Sequence, residues 1–350
     1  MTQLHDILVR RIARTGPMTI AEYMAEALLH PQHGYYTTRD PLGADGDFTT
    51  APEISQMFGE LLGLAIAQSW MDQGRPPCIL AELGPGRGSL MADALRATAS
   101  VPSFHAAISL HLIEASPALR KVQAERLPGA TFHDHLSELP EGPLFLIANE
   151  FFDALPVRQA IRDGGGWRER VVGAQDGALH FGLTEAAPLT VLDPRTDTPE
   201  GEMVEWHPAL PAFSEEIGRR IAAHGGAALI VDYGHWGGTG DTFQAVQGHH
   251  KVDPLADPGA ADLTAHVDFR AIAQAATPAK ASAMTDQGVF LERLGITPRA
   301  QNLAQRLQGA ALAQHVAAHR RLTHPEEMGT LFKVLGLVPP GAPLPPGLDS

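Results

Sequence analysis

The feature that most constrains the fold of this chain is a glycine-spaced stretch, Glu82-Leu83-Gly84-Pro85-Gly86-Arg87-Gly88. It follows a short apolar run at residues 78–81 and precedes a helix-like segment at residues 89–95. Glycine lets the backbone turn tightly and approach a ligand without a Cβ in the way. The order of strand, glycine-rich turn and helix therefore predicts a cradle for an adenosine-containing cofactor.

The spacing of the glycines indicates which cofactor this is. A dinucleotide site would show G-x-G-x-x-G, with a pyrophosphate at the helix N-terminus. Here the pattern is E-x-G-x-G-x-G, with a carboxylate inside the motif. That suits a cofactor with an amino group and a positive sulfonium, such as S-adenosylmethionine. The candidate cofactor-binding residues of the stretch are Glu82, Gly84, Pro85, Gly86 and Gly88; the alternative is a tight strand–helix turn without a ligand.

Composition narrows the classes of protein that remain. With 350 residues the chain can bury a substantial core, and the formal net charge of −14 argues against non-specific nucleic-acid binding. No apolar run of about 18 residues is present, which excludes a membrane-spanning helix. Cys78 is the single cysteine, so no disulfide can form within the chain. The 17 histidines are scattered without metal-ligand spacing, so no metal site is predicted.

Continuous apolar runs predict a parallel sheet covered on both faces, because alternation is lost when both faces of a strand are buried. The predicted strands of this sheet are residues 79–83, 108–113, 144–148 and 227–231. Between the last two, Gly-rich turns separate a predicted β-meander of residues 157–161, 167–172 and 178–183. Residues 249–266 are predicted to form a long loop.

The predicted organisation is a Rossmann-like α/β domain with additions. We expect an N-terminal helical cap at residues 1–76, the Rossmann-like domain at 77–157 and 226–338, an inserted β-rich substrate subdomain at 158–225, and a poorly ordered Pro-rich tail at 339–350.

Acidic and amide side chains follow the predicted strands, at the edge where ligands of open α/β sheets bind. Glu114 ends the second strand and is a candidate for the ribose hydroxyls; the alternative is a solvent-exposed carboxylate. Asn149, Glu150 and Asp153 follow the third strand and are predicted to lie beside the reactive end of the cofactor. The alternative for these is a helix start with Asn149 as N-cap, and one residue can serve both purposes.

A second group of candidates precedes the sheet. Thr50 and Glu53 have the spacing of a capping box, and Pro52 falls in the first turn of the helix predicted at residues 53–71. This segment could fold over the sheet as a lid. On composition alone it is only a helix cap.

The chain resembles the MidA family, whose mitochondrial members are complex I assembly factors with protein-arginine methyltransferase activity. The resemblance spans nearly the whole chain, and two segments carry most of it: T-A-P-E-I-S from Thr50 and N-E-F-F-D-A-L-P from Asn149. Further matching segments are residues 16–19, 33–36, 46–49, 58–60, 82–88, 232–234, 253–254, 328–329 and 332–334.

This resemblance implies a class I methyltransferase with a seven-stranded Rossmann-like sheet, an N-terminal helical cap and an inserted substrate module. It implies S-adenosylmethionine as cofactor and a protein arginine, in a complex I subunit, as candidate acceptor. The cofactor-binding candidates become Glu82, Gly84, Pro85, Gly86, Gly88, Glu114, Asn149, Thr50 and Pro52, and the candidate catalytic residues are Glu53, Glu150 and Asp153. Mitochondrial members carry a leader that this chain lacks, so a bacterial cytoplasmic protein is expected.

Two other functions remain open from the sequence. A non-catalytic assembly chaperone would bind the cofactor without forming product. A nicotinamide-dependent oxidoreductase is disfavoured by the glycine spacing.

Overall fold

The computed structural model describes residues 2–38 and 50–350. The matching segment at residues 46–49 lies outside this range. Within it, no helix combines the length and the apolar character needed to cross a bilayer. The α-helices are α1 Gln3–Thr15, α2 Ile20–Leu29, α3 Tyr35–Thr38, α4 Ala51–Ile54, α5 Gln56–Asp72, α6 Ser89–Thr98, α7 Phe104–Ala107, α8 Pro117–Arg126, α9 Leu210–His224, α10 Phe269–Ala275, α11 Gln287–Arg293, α12 Ile296–Ala304 and α13 Gly309–Thr323. The strands are β1 Met18–Thr19, β2 Cys78–Leu83, β3 Ile108–Ile113, β4 Thr131–His133, β5 Leu144–Asn149, β6 Arg158–Asp163, β7 Gly166–Gln175, β8 Ala178–Leu183, β9 Met203–Trp206, β10 Gly226–His235, β11 Gln244–Gln247, β12 His250–Val252, β13 Asp262–Thr264, β14 Val267–Asp268, β15 Lys280–Ala281, β16 Thr285–Asp286 and β17 Phe332–Val338.

The main sheet is built from the apolar runs that the sequence marks as strands. Its parallel part has the spatial order β4-β3-β2-β5-β10, and β17 then pairs antiparallel with β10. The short strands β15 and β16 pair with β17. Every residue of β2 and β5 is buried, as expected for a sheet with both faces covered. The predicted parallel α/β sheet is confirmed.

The chain divides into two compact units. The sheet unit contains residues 50–152, 211–236 and 269–350, and the meander unit contains residues 2–38, 153–210 and 237–268. This division differs from the predicted one at several boundaries. Residues 153–157, expected in the Rossmann-like domain, belong to the meander unit, and residues 211–225, expected in the inserted subdomain, belong to the sheet unit. The predicted N-terminal cap is split, since α1 to α3 belong to the meander unit whereas α4 and α5 belong to the sheet unit. Residues 237–268, expected in the Rossmann-like domain, belong to the meander unit.

The meander unit contains two small sheets. One has the order β1-β7-β6-β9 with β8 beside β7, and the other has the order β12-β11-β13. The predicted meander is therefore present, but β9 was not predicted. The predicted loop at 249–266 is wrong in part, because β12 and β13 form there. Helix α2 begins with the predicted capping box between Thr19 and Glu22, and its Tyr23 is buried in the same apolar core as Val172 of β7.

Helix α5 crosses a surface of α6 that leaves room only for glycine. An ideal Cβ on Gly63 would lie 2.6 Å from Ala94 Cα, and one on Gly59 would lie 2.7 Å from the Leu90 carbonyl oxygen. The backbones of the two helices therefore touch directly. This contact fixes α6, and with it the end of the glycine-spaced stretch that precedes α6.

The Pro-rich C-terminus is ordered, so the predicted disordered tail is wrong. Leu348 is buried in the core of the sheet unit, and Arg293 pairs with the Asp349 carboxylate at 2.7 Å. The Ala283 N–H also donates to the Asp349 carbonyl oxygen at 2.8 Å. Composition indicated disorder because prolines disfavour regular elements, but packing of Leu348, Ala342 and Leu344 against the core and these polar contacts hold the segment.

Candidate functional site

The candidate site lies at the carboxyl edge of the sheet unit, where the direction of chain travel reverses. From β2 the chain adds β3 and β4 on one side and then returns to place β5 on the other side of β2. Ligands of open α/β sheets bind outside the strand ends at such a switch point. The register places Leu83 opposite Ile113 and Ala148, and Val231 opposite Asn149, so the residues that follow these strands share one edge.

The three glycines after β2 all have left-handed backbone conformations, with φ of 60° at Gly84, 54° at Gly86 and 76° at Gly88. L-residues with a side chain rarely adopt this region. Space is also limiting at two of them. An added Cβ would lie 3.0 Å from the Phe151 ring at Gly84 and 3.1 Å from Leu127 at Gly88. The glycines at alternate positions are thus a requirement of the turn.

Glu82 is buried at the end of β2, and its Oε2 atom receives no hydrogen bond from the residues at 2–38 and 50–350. Burial, with a further contribution from the charge of Glu114, raises the pKa of the Glu82 carboxyl to about 8. A buried acceptor without a donor is costly unless a ligand completes it. Glu82 therefore matches a ligand that brings N–H donors and positive charge.

Asn149 offers a second buried acceptor beside Glu82. Glu82 lies opposite Ile147 in the parallel register, and Asn149 is two residues further along β5. Because side chains alternate along a strand, Glu82 and Asn149 point to the same face. Asn149 Oδ1 also lacks a hydrogen-bond donor within the described part of the chain. The helix start considered for Asn149 is wrong, because turns and irregular backbone follow β5 up to residue 157.

Glu114 is buried and hydrogen-bonded, so the alternative of a solvent-exposed carboxylate is wrong. The Ser116 N–H donates to its Oε1 at 2.7 Å, and Gln123 Nε2 donates to its Oε2 at 3.1 Å. Burial raises the pKa of the Glu114 carboxyl, while these hydrogen bonds act in the opposite direction.

Gln123 is a site residue that sequence reasoning missed. It is fully buried on α8, and its Nε2 also donates to the Gly86 carbonyl oxygen at 2.6 Å. The sequence does contain a signal for Gln123. Leu119, Gln123 and Leu127 recur every four residues on the buried face of α8, so one amide interrupts an otherwise apolar stripe.

Glu150 follows β5 with an uncommon positive φ of 51°. Its Oε1 accepts hydrogen bonds from the Ala51 N–H at 3.3 Å and from Asn149 Nδ2 at 3.1 Å. Both of these donors are neutral amides. These contacts bring the segment that starts at Thr50 to the carboxyl edge of the sheet.

The segment from Thr50 does not form the predicted capping box. Thr50 is the N-cap of α4, but its side chain makes no capping hydrogen bond, and the predicted helix at 53–71 is broken at Ser55, which caps α5. Glu53 instead accepts a hydrogen bond from Ser89 Oγ at 2.5 Å. Arg126 of α8 donates to the same Ser89 hydroxyl. Pro52 lies in the first turn of α4, as predicted.

Asp153 belongs to the meander unit, whereas the residues described above belong to the sheet unit. It is buried, and its carbonyl oxygen accepts a hydrogen bond from the Ala265 N–H at 3.1 Å. In the same unit Tyr36 Oη donates to Asp262 Oδ1 at 2.7 Å. Burial raises the pKa of the Tyr36 phenol, as do the charges of Asp262 and Asp153.

The residues of the sheet unit fit S-adenosylmethionine. Glu82 Oε2 and Asn149 Oδ1 are acceptors that match the amino group of the cofactor, and Glu114 offers two carboxylate oxygens to the ribose hydroxyls. The buried acidic pair at Glu82 and Glu114 suits a cofactor with a positive sulfonium. The sheet and the residues at its carboxyl edge therefore indicate a methyltransferase whose cofactor contains a nucleoside.

Comparison with known proteins agrees with this class. A family model described as S-adenosyl-L-methionine-dependent methyltransferase matches residues 61–285. The human protein named Protein arginine methyltransferase NDUFAF7, mitochondrial, is 38% identical over 365 residues, which cover 95% of this chain and 82% of that protein. The homologue of that name from Drosophila melanogaster is 38% identical over 368 residues, 94% of this chain and 83% of its own length.

A crystal structure from Burkholderia thailandensis with bound S-adenosyl-homocysteine has a TM-score of 0.81 to this chain. It is 29% identical in sequence, and the match covers 99% of this chain and 92% of that one. The chain therefore belongs to this family of S-adenosyl-L-methionine-dependent methyltransferases. The predictions of fold class, cofactor and methyltransferase activity are confirmed, whereas the roles of individual residues stay predictions.

Proposed function

We propose that this enzyme transfers a methyl group from S-adenosylmethionine to an arginine side chain of a protein. The observation that carries the arginine acceptor is the match to proteins named as protein arginine methyltransferases, which extends over about 95% of the chain. The local chemistry supports it. A guanidinium is always cationic at neutral pH, and the acidic residues Glu114 and Glu150 directly follow β3 and β5 at the carboxyl edge of the sheet.

In this proposal the cofactor is held at three places in the sheet unit. Glu82 and Asn149 accept hydrogen bonds from its amino group, Glu114 accepts from its ribose hydroxyls, and the glycine loop allows its close approach. When bound, the cofactor supplies an electrophilic methyl group on sulfur and a thioether as leaving group. Pro85, Thr50 and Pro52 stay candidates for contacts along its length.

Glu150 is the residue proposed to hold the acceptor. Its carboxylate accepts hydrogen bonds from the Ala51 N–H and from Asn149 Nδ2, and it directly follows β5. A carboxylate can pair with a guanidinium through two parallel hydrogen bonds, which draws the positive charge toward the nitrogens that do not react. Alignment of the attacking nitrogen with the methyl group then supplies much of the rate acceleration, so no strong base is assigned.

Glu53 and Asp153 complete the set of proposed acceptor residues. Glu53 is tied through Ser89 to the first turn of α6, immediately after the glycine loop. Asp153 follows Glu150 by three residues in the chain, and its role rests on the family resemblance of that segment. A subunit of respiratory complex I is the proposed substrate and the bacterial cytoplasm the proposed compartment.

Transfer to protein tests this function directly. Purified enzyme and S-adenosylmethionine with a deuterated methyl group are added to an extract of cells that lack its gene. The labelled residue is identified by fragmentation mass spectrometry. We expect label on arginine. Label on lysine or glutamine instead would overturn the arginine proposal, and absence of label with intact cofactor binding would favour the assembly-chaperone function.

A pair of variants tests Glu150. Glu150→Gln keeps the shape of the side chain but removes the charge. We expect methyl transfer to slow by about 10- to 100-fold, which corresponds to the free energy of losing a hydrogen bond to a charged group. Glu125→Gln makes the same chemical change on the exposed surface of α8 and should not slow transfer. Affinity for S-adenosyl-homocysteine should stay within about twofold in both variants, since neither residue is assigned to cofactor binding.

A further inference from the structure

Gln123 connects two parts of the crevice that are far apart in sequence. Its Nε2 lies 2.6 Å from the Gly86 carbonyl oxygen in the glycine loop and 3.1 Å from Glu114 Oε2 at the end of β3. A side-chain amide nitrogen carries two hydrogens, so each acceptor receives one. A single planar group therefore sets the separation between the loop after β2 and the carboxylate after β3.

The surroundings of Gln123 argue against a purely structural role. The side chain is fully buried between Leu119 and Leu127 on the apolar face of α8, and its Oε1 has no donor in the described ranges. Burying an amide oxygen without a partner is unfavourable, and leucine or methionine would fill a similar volume at no such cost. What the amide provides is a donor to two acceptors that both belong to the candidate cofactor site, the Gly86 carbonyl oxygen and Glu114 Oε2.

We propose that Gln123 is a positioning residue that holds Glu114 in the orientation needed to bind both ribose hydroxyls of the cofactor. This inference rests on the proposed role of Glu114. Ser116 donates to Oε1 of Glu114 and Gln123 donates to its Oε2, and a carboxylate oxygen can accept more than one hydrogen bond. Two vicinal hydroxyls need two acceptor positions. Without Gln123 the carboxylate loses its second anchor, and the Gly86 carbonyl loses its donor.

The test uses ligands that separate the two ends of the cofactor. S-adenosyl-homocysteine has the amino-acid and ribose parts, methylthioadenosine lacks the amino-acid part, and 2′-deoxyadenosine lacks one ribose hydroxyl that adenosine has. We expect Gln123→Leu to weaken S-adenosyl-homocysteine and methylthioadenosine by the same factor, about 10- to 100-fold in calorimetric titration. Its preference for adenosine over 2′-deoxyadenosine should disappear.

Gln287 provides a matched control. It is also fully buried, donates from Nε2 to the Leu322 carbonyl oxygen at 2.9 Å, and has an Oε1 without a donor in the described residues. Gln287→Leu should leave the affinity for all four ligands unchanged. Gln123→Met, which keeps the length of the side chain, should reproduce the affinities of Gln123→Leu and serves if the leucine variant does not fold.

Kinetics separate positioning from general damage. For the Gln123 variants we expect a higher KM for S-adenosylmethionine with kcat at saturation within about threefold of wild type, since the lost contacts act in binding. Wild-type affinity for methylthioadenosine in a folded Gln123 variant, or a retained preference for adenosine, would overturn the inference. If the wild-type enzyme itself fails to bind S-adenosyl-homocysteine, the proposed cofactor site is wrong instead.

Discussion

Ser89 Oγ donates a hydrogen bond to Glu53 Oε1 at 2.5 Å, and this contact joins the first turn of α6 to the short helix α4. Ser89 directly follows Gly88, the last glycine of the cofactor loop. Glu53 is a proposed acceptor residue. The hydroxyl therefore places an acceptor-side carboxylate at a fixed position relative to the loop that is proposed to hold the cofactor.

Ser89→Ala should reduce methyl transfer without weakening cofactor binding. One hydrogen bond of ordinary strength contributes about 1 kcal/mol, so we expect turnover to fall about fivefold. The affinity for S-adenosyl-homocysteine should stay unchanged, because the backbone of the loop is not altered. Ser100→Ala, at an exposed serine beyond the end of α6, is the control. Equal turnover in the two variants would show that Ser89 does not position Glu53 for the reaction.

Gly88→Ala should lower both stability and cofactor affinity. The left-handed φ of 76° costs an alanine about 1–2 kcal/mol, and the added methyl group meets Leu127 at 3.1 Å. Gly164→Ala is the matched control, since Gly164 has a φ of 58° and open space around its Cα. Urea unfolding and titration with S-adenosyl-homocysteine measure the two quantities. An unaltered affinity in Gly88→Ala would place the cofactor elsewhere.

The free enzyme should become less stable as pH rises from about 4.5 to 8. The ordinary pKa of a glutamate carboxyl is 4.5, and that of Glu82 in the folded chain is raised to about 8. Between these values the folded state holds a proton that the unfolded state has released, so the unfolding free energy falls as pH rises. The stabilisation that Glu82 contributes is complete below its pKa in the unfolded chain. It is lost as pH rises through its pKa in the folded chain.

Glu82→Gln should flatten this part of the pH profile, because the amide does not titrate. Thermal unfolding midpoints of the wild type and of Glu82→Gln, measured at several pH values between 4.5 and 8.5, provide the comparison. Parallel profiles would mean that Glu82 is ionised in the folded enzyme throughout this range.

The parallel sheet and its ligand edge were predictable because their signals are local. Continuous apolar runs identified β2, β3, β5 and β10, and the residue after each run falls at the carboxyl edge whatever the remaining topology. The glycines at alternate positions were equally informative, since the left-handed turns that they form leave little choice of residue.

What could not be predicted depends on contacts between distant segments. The role of Gln123 requires that α8 pack beside the glycine loop, 37 residues earlier in the chain. Glu53 had the right spacing for a capping box with Thr50, but in the structure its carboxylate accepts a hydrogen bond from Ser89, which is distant in the sequence. That the C-terminal residues are well ordered likewise depends on the ion pair between Arg293 and Asp349, which composition alone does not predict.

The position of β17 has a consequence for how the chain is made. β17 begins at Phe332, far beyond the end of β10 at His235, yet it lies inside the sheet, between β10 and the short strands β15 and β16. Until β17 has been synthesised, the edge of β10 that it covers has unpaired backbone donors and acceptors, which is a hazard for aggregation. The nascent chain therefore cannot close its sheet before β17 has been made.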